Sequence, residues 1–307
     1  MNELLGTTDL TELFGSAQLA ALTAAASARP VVLLLETESP LADLVVPTMA
    51  AALLPTAASR VADLRVLAPE STNWSVDEIS TQILTPASLT PNVRNLIVIH
   101  DAQKMSAACA DHLLKAIEEP LAPTTFVLVT PSADLLMPTI KGRVGQHVSL
   151  SLPADALVRW LEGLGCSPTT AARAVKAFGP AAASLAALEA TPGQLEELVE
   201  LATTLPPPTM AATVAMSAST LLSAISAGAP SENDTEASTP ATATKKRARS
   251  LALSIVAAWR TTVLTTLRSR PDLAPRASLR LSGFDRAEEI LRRNGPVDLA
   301  LATALVG

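Results

Sequence analysis

The chain has 307 residues, room for about two domains at ~150 residues each, and 49% of it is hydrophobic against 17% charged. With four Phe, three Trp and no Tyr, its apolar mass comes from Ala, Leu and Val. Such a chain buries a sizeable core, which excludes wholesale disorder, and it is too poor in rings for a base-stacking platform. The net charge of −6 is unevenly spread: Lys245–Arg293 holds twelve basic and four acidic residues, the remainder eleven and twenty-five. An acidic body thus carries a basic C-terminal segment, either a solvated helix face or an interaction surface.

No apolar run reaches the ~18–20 residues of a spanning helix; the stretch from Leu41 to Leu54 is cut by Asp43 and Pro47. The start Met1-Asn2-Glu3 lacks the cationic opening of a signal peptide. Cys109 and Cys166 fit neither a metal-ligand spacing nor a disulfide framework. These features predict a soluble cytoplasmic protein with no membrane partner, no metal and no cofactor.

Along residues 1–150, strand and helix signals alternate. Short aliphatic or β-branched runs stand at Val31–Leu35, Leu64–Leu67, Leu96–His100, Phe126–Thr130 and His147–Leu150, each the length of a buried strand. Ser75 and Glu78 form a capping-box pattern ahead of Ile79 and Ile83. A helix from about Ser106 to Pro120 carries Ala110, Leu113, Leu114 and Ile117 as an apolar stripe. This alternation predicts a mostly parallel sheet covered on both faces. From Pro153 the strand signals stop. Asp155 is placed to cap a helix with Leu157, Trp160, Leu161 and Leu164, and Gly165, Gly179–Pro180 and Pro192–Gly193 separate further helical pieces. The Pro206–Pro208 run marks a boundary, followed by a helix near Met210–Ile225. Residues from Gly228 to about Thr244 lack large apolar side chains and read as a flexible insertion. Helical periodicity returns with Leu251, Leu253, Ile255, Val256 and Trp259, then Ala287, Ile290 and Leu291, then Leu299–Val306 introduced by Pro296 and Asp298.

A first strand followed by a helix is a nucleotide-binding layout, with phosphates at the helix N-terminus. Here the turn reads Glu36-Thr37-Glu38-Ser39-Pro40-Leu41-Ala42-Asp43. A phosphate loop needs glycines, a Lys for the β/γ-phosphates and a Ser/Thr for Mg²⁺. In that register the glycines become Glu36 and Leu41, the Lys becomes Ala42 and the Ser/Thr becomes Asp43. Glu36, Glu38 and Asp43 also set negative charge where a polyphosphate would approach, at about a kcal/mol or more each. The run Leu96–Ile99 ends in His100-Asp101, where a metal-holding Asp followed by a second acid is needed; only Asp101 remains. His100 and Asp101, as neighbouring strand residues, point to opposite faces, with no nucleophile beside them, so the pair offers little as a catalytic site.

The segment Leu113-Leu114-Lys115-Ala116-Ile117-Glu118-Glu119-Pro120 resembles the "LLKxLEEP" helix end of clamp-loader AAA+ subunits. Phe126–Thr130 resembles the sensor-1 strand that follows, placing Thr130 at its end. Leu135–Val144 resembles "LLPTIxSRC". Ala62-Asp63 through Ser75-Val76-Asp77-Glu78-Ile79 is similar to "HPD…vdqIR", Trp259-Arg260 to a collar "W-R-D", and Ile290–Leu301 to the collar helices. The matches run in order over most of the chain, and the defective phosphate loop favours the delta-prime type over gamma/tau. The resemblance implies an AAA+ α/β domain at 1–151, a helical lid at 152–205 and a helical collar at 206–307 carrying the insertion at about 228–244. It implies a subunit that hydrolyses no ATP, joins gamma/tau and delta subunits in a hetero-oligomer that loads a sliding clamp onto primed DNA, and offers Arg143 as an arginine finger to a neighbour.

Departures from the pattern are Gly142 and Val144 beside Arg143, the absence of a sensor-2 Arg in Gly179–Ser184, and the absence of a cysteine-rich module at Pro55–Arg60. Two other readings are a divergent AAA+ ATPase with residual nucleotide binding, and a DNA-binding module built on the basic C-terminal segment.

Overall fold

In the computed structural model the described residues are 10–70, 73–187, 192–203, 208–227, 240–269, 274–293 and 295–306. The chain divides into two compact units, Met1–Ala156 and Leu157–Gly307.

In the first unit all five expected strands form: β1 (Val32–Glu36), β2 (Leu64–Leu67), β3 (Asn95–Ile99), β4 (Thr124–Thr130) and β5 (Gln146–Ser149). They lie in the order β2-β3-β4-β1-β5, and every pair is parallel. β1, β3 and β4 are central, and every residue of β3 and β4 is buried, which is why these strands read as continuous apolar runs. Parallel neighbours need crossovers. Around the sheet run α1 (Leu10–Ser27), α2 (Ser39–Leu53), α3 (Ala57–Asp63), the short turns α4 (Val76–Glu78) and α5 (Thr85–Ser88), α6 (Ala107–Glu118) and α7 (Pro138–Lys141). Val32, Leu34, Ile97, Ile99, Phe126 and Leu128 form one face of the core with Trp74, Ile79, Ile83 and the α6 residues Ala110, Leu113 and Ile117. Leu33, Leu35, Val127 and Val129, which alternate with them, are equally buried on the other face. Each fully buried Leu or Phe contributes about 1.5–3 kcal/mol.

Local chemistry sets the helix starts. Ser75 Oγ accepts from Glu78 N–H while the Glu78 carboxylate accepts from Ser75 N–H, a complete capping box. Ile79–Leu84 then continues as a π-helical turn. Ser106 caps α6 through Cys109 N–H. Thr56 and Ser59 cap α3 reciprocally. No single helix among the described residues is long and apolar enough to cross a membrane; α2 and α3 together reach the length only across a 118° bend.

The second unit is helical. α8 (Ala154–Gly163) leads into it, and then come α9 (Pro168–Phe178), a 3₁₀ run at Gly179–Ala187, α10 (Pro192–Thr203), α11 (Ala211–Ala227), α12 (Pro240–Ser269), α13 (Ala274–Arg292) and α14 (Val297–Val306). α13 packs on α14, α11 on α12 and α14, and α10 on α9 and α12. Trp259 is fully buried, and its indole N–H donates to the Leu201 carbonyl at 2.8 Å, tying α12 to α10. Arg260 reaches Asp285 at 2.6 Å and Glu288 at 2.9 Å, tying α12 to α13.

Pro192-Gly193 opens α10, a helical piece distinct from the 3₁₀ run that ends at Ala187. Two expectations shift. Asp155 lies inside the first turn of α8, where the helix dipole favours a carboxylate, rather than capping it. Residues 240–244, expected in the flexible insertion, are the first turn of α12. A helix already anchored by Leu251, Ile255 and Trp259 extends at little cost through Ala, Thr and Lys, and Pro240 is tolerated in a first turn. Residues 228–239 of the insertion, and 206–207 of the proline run, lie outside the described residues.

Candidate functional site

In a parallel sheet all carboxyl ends lie on one side, and ligands bind in the crevice beyond them. Here that crevice is bounded by Glu36 and Thr37 after β1, His100 and Asp101 after β3, Thr130 at the end of β4, and the first turns of α2.

The β1–α2 connection is only Thr37 and Glu38, too short to wrap a phosphate in backbone N–H groups. Thr37 N–H instead donates to Thr130 O at 2.8 Å. The first α2 amides turn inward: Leu41 and Ala42 N–H both donate to Glu38 O at 3.0 Å. The Leu41 and Ala42 side chains, 2% and 0% exposed, are core. A lysine at position 42 would therefore point into apolar packing rather than towards a phosphate. Thr130 is fully buried, and its hydroxyl donates to Ser132 O at 3.0 Å.

The acids are occupied by the protein itself. Glu36 Oε1 accepts from Ala133 N–H at 3.1 Å, and Oε2 lies 2.9 Å from His147 Nε2. Asp43 Oδ1 lies 2.9 Å from Nε2 of the buried His100. That approach is outside hydrogen-bonding alignment, and neither ring nitrogen is hydrogen-bonded. The two positions that would share a metal ion in a working site thus meet each other directly. Asp101 does not continue β3. It turns into the left-handed region at φ 51°, and its carboxylate takes Lys104 Nζ at 3.0 Å and Gln103 Nε2 at 3.2 Å. Glu36 and Asp43 leave two acids at this end of the sheet, and the short turn and the buried Ala42 add a steric obstacle to a polyphosphate. Among the described residues no group of three or more His, Cys, Asp or Glu side chains could hold a metal ion.

Arg143 lies elsewhere. It follows α7, two residues before the Gly145 N–H that donates to Val32 O at the start of β1. This is the amino end of the sheet, a strand length of about 16 Å from the crevice at ~3.3 Å per residue. Its guanidinium is half-exposed and meets Glu118 Oε1 twice, from Nε at 3.0 Å and from Nη2 at 2.5 Å. Gly142 sits in ordinary helical backbone and donates to Pro138 O at 2.9 Å; an added Cβ would meet only ordinary contact. The Arg143 loop is thus held as a helical turn. Lys141 bonds exposed Asp134 at 2.7 Å, and this bond and its charge hold that carboxyl below the usual range. In the motif helix, Leu113 is buried and Leu114 partly so, whereas Lys115, Glu118, Glu119 and Pro120 are exposed.

Sequence reasoning brought Glu36, Thr130, His100, Asp101 and Asp43 to one crevice. It missed Lys104, Gln103, His147 and the Glu118–Arg143 pair. The Lys104 and Gln103 contacts have a visible signal in their spacing of three and two residues from Asp101; the Glu36–His147 and Glu118–Arg143 contacts join residues 25 or more apart.

Residues 45–152 match the family described as DNA polymerase III, delta subunit. A curated relative, DNA polymerase III subunit delta' of Pseudomonas aeruginosa, is 34% identical over 68 residues, 22% of this chain and 21% of that protein. The α/β unit resembles the delta-prime subunit of DNA polymerase III. The stretch matched spans about a fifth of the length of that delta' subunit. Among solved structures, a DNA polymerase III gamma subunit-related protein of Thermotoga maritima is 20% identical with a TM-score of 0.47, covering 94% of this chain and 97% of that one. The DNA clamp loader delta protein of Bacillus subtilis is 12% identical with a TM-score of 0.32, covering 94% and 88%. RuvB of T. maritima, as its T158V form, is 19% identical with a TM-score of 0.41, covering 65% and 67%.

Proposed function

We propose that the chain is a delta-prime-like subunit of a clamp loader that neither binds nor hydrolyses ATP and that offers Arg143 to an ATPase neighbour. The observation that carries this reading is the buried Ala42 behind a two-residue β1–α2 turn: the place for the phosphate-binding cation is core. The pairing of Asp43 with His100 and of Asp101 with Lys104 supports it, since the metal and water positions have no free carboxylate. Arg143, half-exposed at the opposite end of the sheet, is too far to serve the chain's own crevice, which favours action on a nucleotide held by another subunit. The reading further takes gamma/tau and delta subunits as partners in a cytoplasmic hetero-oligomer, with the sliding clamp and primed DNA as partners of the whole assembly. It divides the chain into an AAA+ domain at 1–151, a lid at 152–205 and a collar at 206–307.

Titration of the full chain with a fluorescent ATP analogue and Mg²⁺ tests the first half: no saturable binding is expected, and tight Mg²⁺-dependent binding overturns it. For the second half, Arg143→Ala in a reconstituted loader is expected to leave assembly intact and lower DNA-stimulated ATP hydrolysis; an unchanged rate refutes the finger. The basic C-terminal segment gives a DNA-binding reading less support, because Arg260, Arg292 and Arg293 are paired with acids on α13.

A further inference from the structure

We infer that Glu118 is the positioning residue for Arg143, an inference that rests on the trans-acting role proposed above. Glu118 ends α6, and Arg143 follows α7; 25 residues separate them, and each side chain is about half exposed, 49% and 45%. Nothing in the fold forces two surface side chains to meet, yet one carboxylate oxygen takes both Nε and Nη2 of the guanidinium.

The geometry has a chemical consequence. A guanidinium has five N–H donors in a planar fork. Glu118 occupies Nε–H and one Nη2–H. The two Nη1 hydrogens and the second on Nη2 remain for an incoming anion. Glu118 therefore grips the side of the fork and leaves its far end open, the end that a γ-phosphate oxygen would meet. The grip also fixes a long side chain that otherwise samples many rotamers. Fixing it before the phosphate arrives is preorganisation, so the benefit falls on turnover rather than on ATP affinity. Glu118 touches no reacting atom in this scheme; it acts through Arg143. The other helix-end acid of the motif, Glu119, ends α6 as its cap residue with its N–H on Lys115 O and takes no part in the grip on Arg143.

The size of the effect follows from the exposure of the pair. Exposed ion pairs are worth about 0.2–1 kcal/mol, roughly 1.4- to 5-fold in a rate, so a modest loss is expected rather than abolition.

The test uses the full chain in two settings. In the free chain, the Arg143 Nε–H signal in ¹⁵N NMR is expected to be dispersed and slow to exchange, and to collapse to the solvent-exposed position in Glu118→Gln; a signal indifferent to the substitution overturns the inference whatever Arg143 does. In the loader reconstituted with its gamma/tau and delta subunits, Glu118→Gln is expected to lower the kcat for ATP about 1.4- to 5-fold with KM unchanged. Glu118→Asp should restore part of it, and Glu118→Gln should have no further effect on Arg143→Ala, as for two residues acting as one unit. Arg143→Ala slowing hydrolysis while Glu118→Gln does not, or raises it, overturns the positioning role and leaves the finger standing. Arg143→Ala without effect overturns both. Loss of co-elution in Glu118→Gln also overturns it, assigning Glu118 to the subunit contact itself.

Discussion

Replacing Asp63 by Ala removes the clamp between the end of α3 and the loop that launches β3. The Asp63 carboxylate is 3% exposed. Its Oδ1 accepts from Asn92 N–H at 3.0 Å and Asn92 Nδ2 at 3.2 Å, and its Oδ2 accepts from Val93 N–H at 2.9 Å. Hydrogen bonds to a charged group are worth about 1.5–3 kcal/mol each when one partner is removed. Asn92 and Val93 are exposed, so water takes over part of the loss, and the total is about 2–3 kcal/mol rather than the sum. At 1.4 kcal/mol per decade this multiplies opening of the β2–β3 edge roughly 30- to 150-fold. Hydrogen exchange at pH 7, read on residues 64–67 and 95–99, should accelerate by that factor. Unchanged exchange in both strands, or acceleration confined to residues 92–94, would refute the reasoning. Burial pushes the Asp63 carboxyl up, but N–H groups of Asn92, Val93 and Arg94 outweigh it and hold it below the usual range. A depressed carboxyl stabilises the fold above the ordinary carboxylate range, and that contribution is lost as pH falls through the folded value. The gap between wild type and variant is therefore full at pH 7 and closes in acid. The Ala62-Asp63 stretch that resembles the family's "HPD" thus has a mechanical role in this chain.

Two further substitutions bear on the crevice and on the second unit. Ala42→Lys puts an ammonium into core packing and should cost several kcal/mol without creating ATP binding, measured by urea denaturation and by the fluorescent-nucleotide titration; a stable variant that binds ATP would show the crevice to be repairable. Gly295→Ala sets a Cβ 2.5 Å from Ile290 Cγ2 and 2.8 Å from the Ile290 carbonyl, and a backbone clash does not yield to a rotamer change. A loss of about 1–3 kcal/mol, read as a fall in Tm of ~2–10 °C, is expected, and an unchanged Tm would refute it.

The legible parts of the fold were those written in neighbouring residues. The β1, β3 and β4 runs declare themselves because buried parallel strands are apolar on both faces. The starts at Ser75 and Ser106 are visible because a cap and its partner lie three residues apart. The place of Ala42 and Asp43 in the first turns after β1 was legible from the strand and helix pattern around them. The contacts made at that end of the sheet were not. His100 and Asp43 are 57 residues apart, Glu118 and Arg143 25, Asp63 and Asn92 29; contacts at such range depend on the sheet order β2-β3-β4-β1-β5, which no local pattern encodes. Asp101 misled for a different reason. Period-two alternation assigns it the face opposite His100, but the chain leaves the strand there in a left-handed turn that its own contacts to Lys104 and Gln103 stabilise. Likewise α12 begins at Pro240 because helix propagation from Leu251–Trp259 overrides a low-complexity composition.

Trp74 gives the first unit an optical property of its own. It is the only tryptophan among residues 1–156, and the chain has no tyrosine, so ultraviolet emission from this unit comes from one fluorophore without background. The indole is 3% exposed and donates to the His100 carbonyl at 3.0 Å, the Trp74 N–H reaches Lys104 O, and the Cys109 thiol donates to the Trp74 carbonyl at 3.2 Å. Trp160→Phe with Trp259→Phe would isolate a single emitter bonded to His100, just after β3, and to Lys104, the partner of Asp101. Its wavelength and lifetime then report the crevice from inside, with no label attached: a ligand seated against His100 or Asp101 must shift them, and an empty, self-paired crevice holds them constant as nucleotide is added.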